Sequence, residues 1–328
     1  MQQSEKPHVT VGIHTLTPGR SHCAWRTYPR TLRERMHIMR KIDPRKIIAV
    51  LVAAFIAISS LAACGTATSK PKTASEVYAA YLKTDHDNSV VTGDMTLTAG
   101  VGALQLSLDT TLDLQLNGGA AHGTIAAKSG GSSMELYSVE QDGKRLVYYK
   151  GIPIDLSALG LDLSGLTNDQ WYVAESDAAD VNANIADAAS VLDESIFIEA
   201  AFEENDGTYT VTINGASLAK RVAAALATEN DTAEAIASRE ELVNNILKDA
   251  NVVLTFDDSC RLTSVYMAPV TASVPVDASL ATNLDVTMGL DLKVSGYGTV
   301  GAIEVPAEVV SAAVPTEETP IPALGNAA

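Results

Sequence analysis

The chain has 328 residues, of which 23 are basic and 40 acidic, for a formal net charge of −17. Ten of the basic but only three of the acidic residues lie within 1–63, so residues 64–328 carry about −24. Such an acidic body argues against binding nucleic acid, and against holding anionic lipid headgroups through basic patches. Its 265 residues are enough for one large core or two small ones.

The region before Cys64 has the parts of an export signal. An uncharged, mostly apolar run of seventeen residues, Ile47–Ala63, ends in Leu61-Ala62-Ala63 and follows basic Arg40, Lys41, Arg45 and Lys46. With Cys64 next, the site resembles the lipobox of bacterial lipoproteins. That resemblance implies that the Cys64 thiol receives a diacylglyceryl group and becomes the mature N-terminus. A plain transmembrane anchor is the alternative, but the run is short for a span and leaves Cys64 unexplained.

The signal also bears on where translation starts. Signal peptides begin near the initiator methionine, yet thirty-eight residues of different, arginine-rich composition precede Met39. We therefore expect 1–38 to be an incorrectly assigned extension, 39–63 to be the signal peptide and 64–72 to be a tether. The body at 73–314 would then stand on the outer, extracytoplasmic face of the cell membrane. Two or more acyl chains on Cys64 would make that attachment stable.

The body begins with a helix and continues in long strands. Thr73 is placed to cap a helix over 74–83. From Leu104 to Leu116 apolar residues recur every second position, with Thr110 the only break, and Leu284 to Val294 repeats the pattern. Such alternation predicts one wet and one buried face, as in an antiparallel sheet.

Turn and helix signals complete the predicted elements. Hairpins are expected at Asp142-Gly143 and Asp206-Gly207, the second joining strands Ile196–Glu204 and Thr208–Ile213. Further turns are predicted at Asn117-Gly118 and Asp257–Cys260. Helical spacing predicts helices through Val181–Leu192, Leu218–Leu226, Ile236–Leu247 (with Asp231 and Glu234 as a cap pair) and Ala307–Ala313. Residues 315–328, with three prolines and no periodicity, are expected to be a disordered tail. The fold class is thus α+β, with a long antiparallel sheet packed on amphipathic helices.

No constellation of catalytic or metal-binding residues is evident. His86 and His122 are the only histidines after Cys64, and neither has a Cys or ordered carboxylate spacing beside it. Ser217-Leu218-Ala219-Lys220 matches S-x-x-K without its companion motifs. Cys260 is expected to be an inert thiol in a turn rather than a reactive one. The sequence therefore predicts no catalytic residue, no metal ligand and no cofactor, and hence no enzyme.

One loop is unusually apolar. Residues 155–166 form a near-repeat carrying five leucines. Loops of this composition are rarely exposed to solvent, so a short helix or strap that packs on the body is favoured. A flap over a hydrophobic groove is the functional alternative.

The mature region resembles the LolA-like superfamily of lipoprotein and lipid carriers, and within it Gram-positive lipoproteins of the LppX/LprG type. The residues that carry the resemblance are Cys64, Met134-Glu135-Leu136-Tyr137, Tyr148-Tyr149, Trp171-Tyr172, Asp206–Ile213, Tyr297-Gly298 and Ile303–Pro306. The resemblance implies a half-barrel of antiparallel strands around helices, with acyl chains held between sheet and helices. The chain is poor in aromatic residues for such a carrier, with four Phe and two Trp in all.

Two functions remain open. The first is a membrane-anchored lipoprotein that binds an acyl chain or other apolar ligand between sheet and helices. Its groove would be lined by Leu104, Leu106, Leu108, Val286, Met288, Ile236 and Val243. The second is a non-enzymatic surface scaffold or protein-interaction domain with a closed core. The sequence identifies no protein partner.

Overall fold

A computed structural model describes residues 70–84, 87–101, 104–107, 109–128, 133–151, 169–179, 190–225, 232–277 and 282–315. The signal peptide, Cys64, His86 and Leu108 lie outside the described residues. So do the apolar loop at 155–166, Asp231, and most of the predicted helix before Leu192.

Strands dominate the described part of the chain. They are β1 (Asn88–Val101), β2 (Leu104–Ser107), β3 (Thr110–Asn117), β4 (Ala120–Ala127), β5 (Ser133–Gln141), β6 (Lys144–Lys150), β7 (Trp171–Asp177), β8 (Ala201–Asn205), β9 (Thr208–Asn214), β10 (Asn251–Phe256), β11 (Leu262–Asp277), β12 (Thr282–Ser295) and β13 (Val314–Pro315). All belong to one curved, open sheet in the order β13-β7-β6-β5-β4-β3-β1-β12-β11-β10-β9-β8, with β2 paired to β1. Every pairing is antiparallel except that of β13 with β7. The α+β class and the long antiparallel sheet are confirmed.

Five α-helices accompany the sheet in the described residues. They are α1 (Ala74–Tyr81), α2 (Glu194–Ile198), α3 (Gly215–Ala225), α4 (Ala233–Leu247) and α5 (Ala307–Ala312), with one 3-10 turn at Ser190–Leu192. α1 contacts α2, and α3 lies against α4, which in turn contacts β11. Gly215 begins α3 where a Cβ would overlap the carbonyl oxygen of Leu247, so the start of α3 and the end of α4 approach closely.

One face of the sheet, here called the inner face, carries the main core. It bears the buried side chains of Leu112, Leu114 and Leu116, and the strand register continues it through Val91, Leu292, Val265, Leu254 and Val211. α1 to α4 cover it, with Val77, Phe197, Ala219 and Leu247 buried in the same cluster. The opposite, outer face of these strands carries Asp94, Asp113, Asp291 and Lys293. This division confirms the period-two prediction for both long strands.

Two local predictions are corrected or refined, and a third is confirmed. The strand expected from Leu104 to Leu116 is divided into β2 and β3, although both keep one register on β1. The strand predicted from Ile196 is wrong at its start: Ile196 lies buried in α2, because the Asp193 carboxylate accepts hydrogen bonds from the amides of Ser195 and Ile196 and so caps a helix. The hairpin turns are confirmed, with positive φ at both Asp142-Gly143 and Asp206-Gly207.

The C-terminal segment, residues 296–315, crosses to the outer face of the sheet. The amides of Asn88 and Asn117 donate to the Val300 carbonyl at 2.7 and 3.0 Å, and fix its first part. Beyond it, Ile303, Val305 and buried Val309 pack on Tyr137, Tyr148 and Val173 in a second cluster. The segment ends as β13 beside β7, so Val314 and Pro315 still belong to the sheet.

Candidate functional site

The inner face continues past the main core toward one end of the long strands. Met95 of β1 marks the boundary, and the next residues on the same face are Leu97 and Ala99. We call this end the distal inner face and define it by Leu97, Ala99, Val270, Ala272, Val286 and Met288. Val286 is buried, whereas Leu97, Met288 and Val270 are half-buried. The side chains are aliphatic or thioether, so this surface offers an apolar ligand dispersion contacts and no charge.

The strand register places four of the residues predicted to line the groove on neighbouring strands. Val286 and Met288 pair with Ala99 and Leu97 of β1. On the other side of β1, Leu106 pairs with the same Ala99, and Leu104 pairs with Val101. Four predicted positions therefore fall in adjoining rows across β2, β1 and β12. The side chains of Leu104 and Leu106 are outside the described part, as is the whole of Leu108.

The two predicted helix residues lie on one stripe of α4 with different exposure. Ile236 and Val243 are seven residues apart, which places them on the same face of a helix. Val243 is 8% exposed and packs in the main cluster, whereas Ile236 is 38% exposed. The apolar stripe of α4 thus leaves the closed core as the helix is followed toward its N-terminus.

A single polar residue interrupts the inner face at the boundary. Thr110 pairs with Met95 on one side and Ala127 on the other, and it is 2% exposed. Within the described ranges of the chain, its hydroxyl has no hydrogen-bond partner. The sequence showed Thr110 as the one break in the alternation, but its burial comes from the tertiary structure.

Strands β4 to β7 extend the apolar inner face beyond the residues predicted to line the groove. Their register places Met134, Leu136, Val147, Tyr149 and Tyr172 on the inner face, all half-buried. The rings of Tyr149 and Tyr172 stack at 5.7 Å. The alternation of Met134 and Leu136 with Glu135 was the signal that could have found this surface.

The ion pairs near strands β4 to β6 lie at the hairpin end of β6 or on the outer face of the sheet. Buried Arg145 lies at the hairpin end of β6, where its Nη1 donates to the Gly119 carbonyl at 2.5 Å and Nη2 contacts Glu140 at 3.3 Å. On the outer face, Lys128 pairs with Asp94 at 3.1 Å. The ion pairs therefore leave the distal inner face uncharged in its described residues.

The groups considered for catalysis are engaged in structural contacts. Cys260 is buried in the turn after β10, and this burial, with Asp257 and Asp258 beside it, raises the pKa of its thiol. A thiol kept protonated is a poor nucleophile, so the inert alternative is favoured. Ser217 donates to the Glu199 carboxylate at 3.1 Å. His122 stacks on Tyr137 at 4.1 Å and lies 3.7 Å from the Glu135 carboxylate.

The described residues contain neither a metal site nor a membrane-spanning helix. Across the described ranges, no set of three or more His, Cys, Asp or Glu side chains is placed to hold a metal ion. None of the helices in those ranges combines the length and apolarity that crossing a bilayer requires.

No protein-family model matches the chain, and no curated protein matches it.

Proposed function

We propose that the protein is a membrane-anchored extracytoplasmic lipoprotein that binds the acyl chain of a lipid against the distal inner face of a LolA-like half-barrel. Cys64, acylated after cleavage behind Leu61-Ala62-Ala63, is the anchor in this proposal. The acyl chain lies between β1, β2 and β12 on one side and the N-terminal half of α4 on the other. The protein binds this ligand and does not convert it.

The observation that carries the proposal is the exposure of Ile236 on the stripe that buries Val243. A helix that only closed a core would gain most by burying that stripe along its whole length. Here the stripe ends in exposed Ile236, and half-buried Met288 packs at the edge of the closed core, next to half-buried Leu97 on β1. Each methylene that a ligand buries between such surfaces contributes about 0.8 kcal/mol.

The lining also favours an acyl chain over a flat or charged ligand. The distal inner face has no aromatic ring and no charged group in its described residues. Methionine at position 288 is a flexible, polarisable side chain that adapts to an irregular chain. The acidic surface of the body repels anionic headgroups, so burial of the tail has to supply the affinity.

The scaffold alternative has its own supporting observation. At β9 and β10 the core is fully closed, with Tyr209, Val211 and Phe256 at 1% exposure or less. If other residues of the chain covered the distal inner face as well, no groove would remain, and the protein would bind partners only through its outer surface. The binding experiment separates these two functions.

The test is native mass spectrometry and titration with a fluorescent fatty acid, using the chain with Cys64→Ala to remove the acylation site. We expect co-purified lipid that leaves on organic extraction, and uptake of the probe. Ile236→Glu should weaken probe binding about tenfold or more, because it sets a charge at the groove. Ala237→Glu, one residue along α4 and exposed, is the matched control and should bind like the parent. A lipid-free mass without probe uptake would favour the scaffold.

A further inference from the structure

Thr110 places a buried hydroxyl on the apolar inner face, where it has no evident structural role. The residue lies on the inner face between Met95 and Ala127, at the row where the closed core meets the distal inner face. Its Oγ1 is buried and makes no hydrogen bond to any of the described residues. A buried hydroxyl without a partner costs free energy that valine, of nearly the same shape, would not cost.

We infer that the Thr110 hydroxyl is the polar anchor of the binding groove and donates a hydrogen bond to the ester carbonyl of a bound acyl chain. The inference rests on the proposed function and names the part of the ligand that the site recognises. An acyl ester has one polar group at the end of an apolar chain. The distal inner face with Thr110 at its base has the same arrangement: one hydroxyl at the end of an apolar surface.

The neighbour of Thr110 on the inner face can give access to the hydroxyl. Met95 lies directly opposite on β1, at the cross-strand distance at which side chains touch. It is half-buried and packs at the edge of the main cluster. An unbranched methionine changes rotamer at little cost, so a ligand can displace it without moving the sheet.

A second hydroxyl provides the comparison. Ser89 is fully buried on the same face, and its Oγ also has no hydrogen-bond partner in the part of the chain that the structure describes. It lies at the opposite end of β1, against Leu116 in the closed part of the core. Removal of either hydroxyl should leave the apo protein as stable or more so, but only Thr110 should affect a ligand.

The test compares two pyrene probes that differ in one group, pyrenyl-dodecane and the methyl ester of pyrenyl-dodecanoic acid. The parent chain with Cys64→Ala should bind the ester about three- to tenfold more tightly, the range expected of one hydrogen bond. Thr110→Val should abolish that preference and leave the hydrocarbon affinity unchanged. Thr110→Ser, which keeps a hydroxyl, should restore the preference, and Ser89→Ala should retain it.

The outcomes distinguish the two proposals. If both probes bind but the parent shows no ester preference, or Thr110→Val keeps it, the role of Thr110 is refuted and the groove stands. If neither probe binds the parent chain, the groove itself is refuted, and the inference with it.

Discussion

Asp193 joins two helices through one carboxylate. Its Oδ1 accepts from the Ser195 and Ile196 amides and caps α2, while Oδ2 accepts from Arg221 of α3 at 2.5 Å. Arg221 also donates to the Ser195 hydroxyl. Burial alone would raise the Asp193 pKa, but the hydrogen bonds from Ser195 and Arg221 outweigh it and lower the pKa below its usual value.

This shift predicts a specific acid sensitivity. Because the native state favours the Asp193 carboxylate, its contribution to stability is present above the unfolded-state pKa and is lost as pH falls through the lowered native pKa. Asp193→Asn keeps an oxygen that can cap α2 but loses the charge that faces Arg221, so it should cost about 0.5 kcal/mol at pH 7 and flatten the decline of unfolding free energy below pH 4, as measured by urea titration. Glu194→Gln removes a neighbouring carboxylate at the same helix end. If Glu194→Gln flattens the decline of unfolding free energy below pH 4 by the same amount, the acid sensitivity is not specific to Asp193.

At the scale of elements, α5 and its flanks act as a patch on the outer face of β5 to β7. Val309 is 5% exposed against Tyr137 and Tyr148, whereas Val310, the next residue of the same helix, is 49% exposed. Gln170 holds the end of the patch by donating to the Ala312 carbonyl at 2.6 Å. A helix this short depends on such packing for its stability.

We therefore expect unequal effects from two identical substitutions. Val309→Ala should lower the free energy of unfolding by about 2 kcal/mol, since it removes two buried carbons and leaves a cavity. Val310→Ala should change it by less than about 0.5 kcal/mol. Urea denaturation at neutral pH measures both. Equal effects would mean that the patch does not bury Val309 in solution.

At the scale of the whole molecule, an open sheet has two edges to protect. β13 covers part of β7 at one edge, while β8 is the last described strand at the other. β8 carries exposed Glu203 and Glu204, and charges on an edge strand discourage pairing with another chain.

The edge prediction concerns self-association. Glu203→Val should raise the dimer fraction in sedimentation velocity, because it replaces a repulsive charge by a β-forming apolar residue at an edge. Asp291→Val makes the same exchange on the outer face of β12 in the middle of the sheet, where no backbone groups are free to pair. Association of both variants alike would point to charge loss rather than edge pairing.

Local patterns were sufficient for many elements. The Asp-Gly turns, the period of two in β3 and β12, and Thr73 as the cap of α1 act within a few residues, and the structure confirms each. The start of β8 was missed because Ile196 and Phe197 have strand propensity, which the capping bonds of Asp193 override. The inner surface of β4 to β7 was missed because its strands are only half-buried and their alternation is weak.

The sequence by itself determined the apolar faces of β3 and β12, the Asp-Gly turns and the Thr73 cap of α1. These follow from side-chain period and backbone preference, which are properties of neighbouring residues. Only the tertiary structure decided that Val243 is buried while Ile236 is exposed, that β2 and β12 flank the same half of β1, and that the Thr110 hydroxyl finds no partner among the described residues. Burial and pairing join residues far apart in the chain, so no local pattern records them.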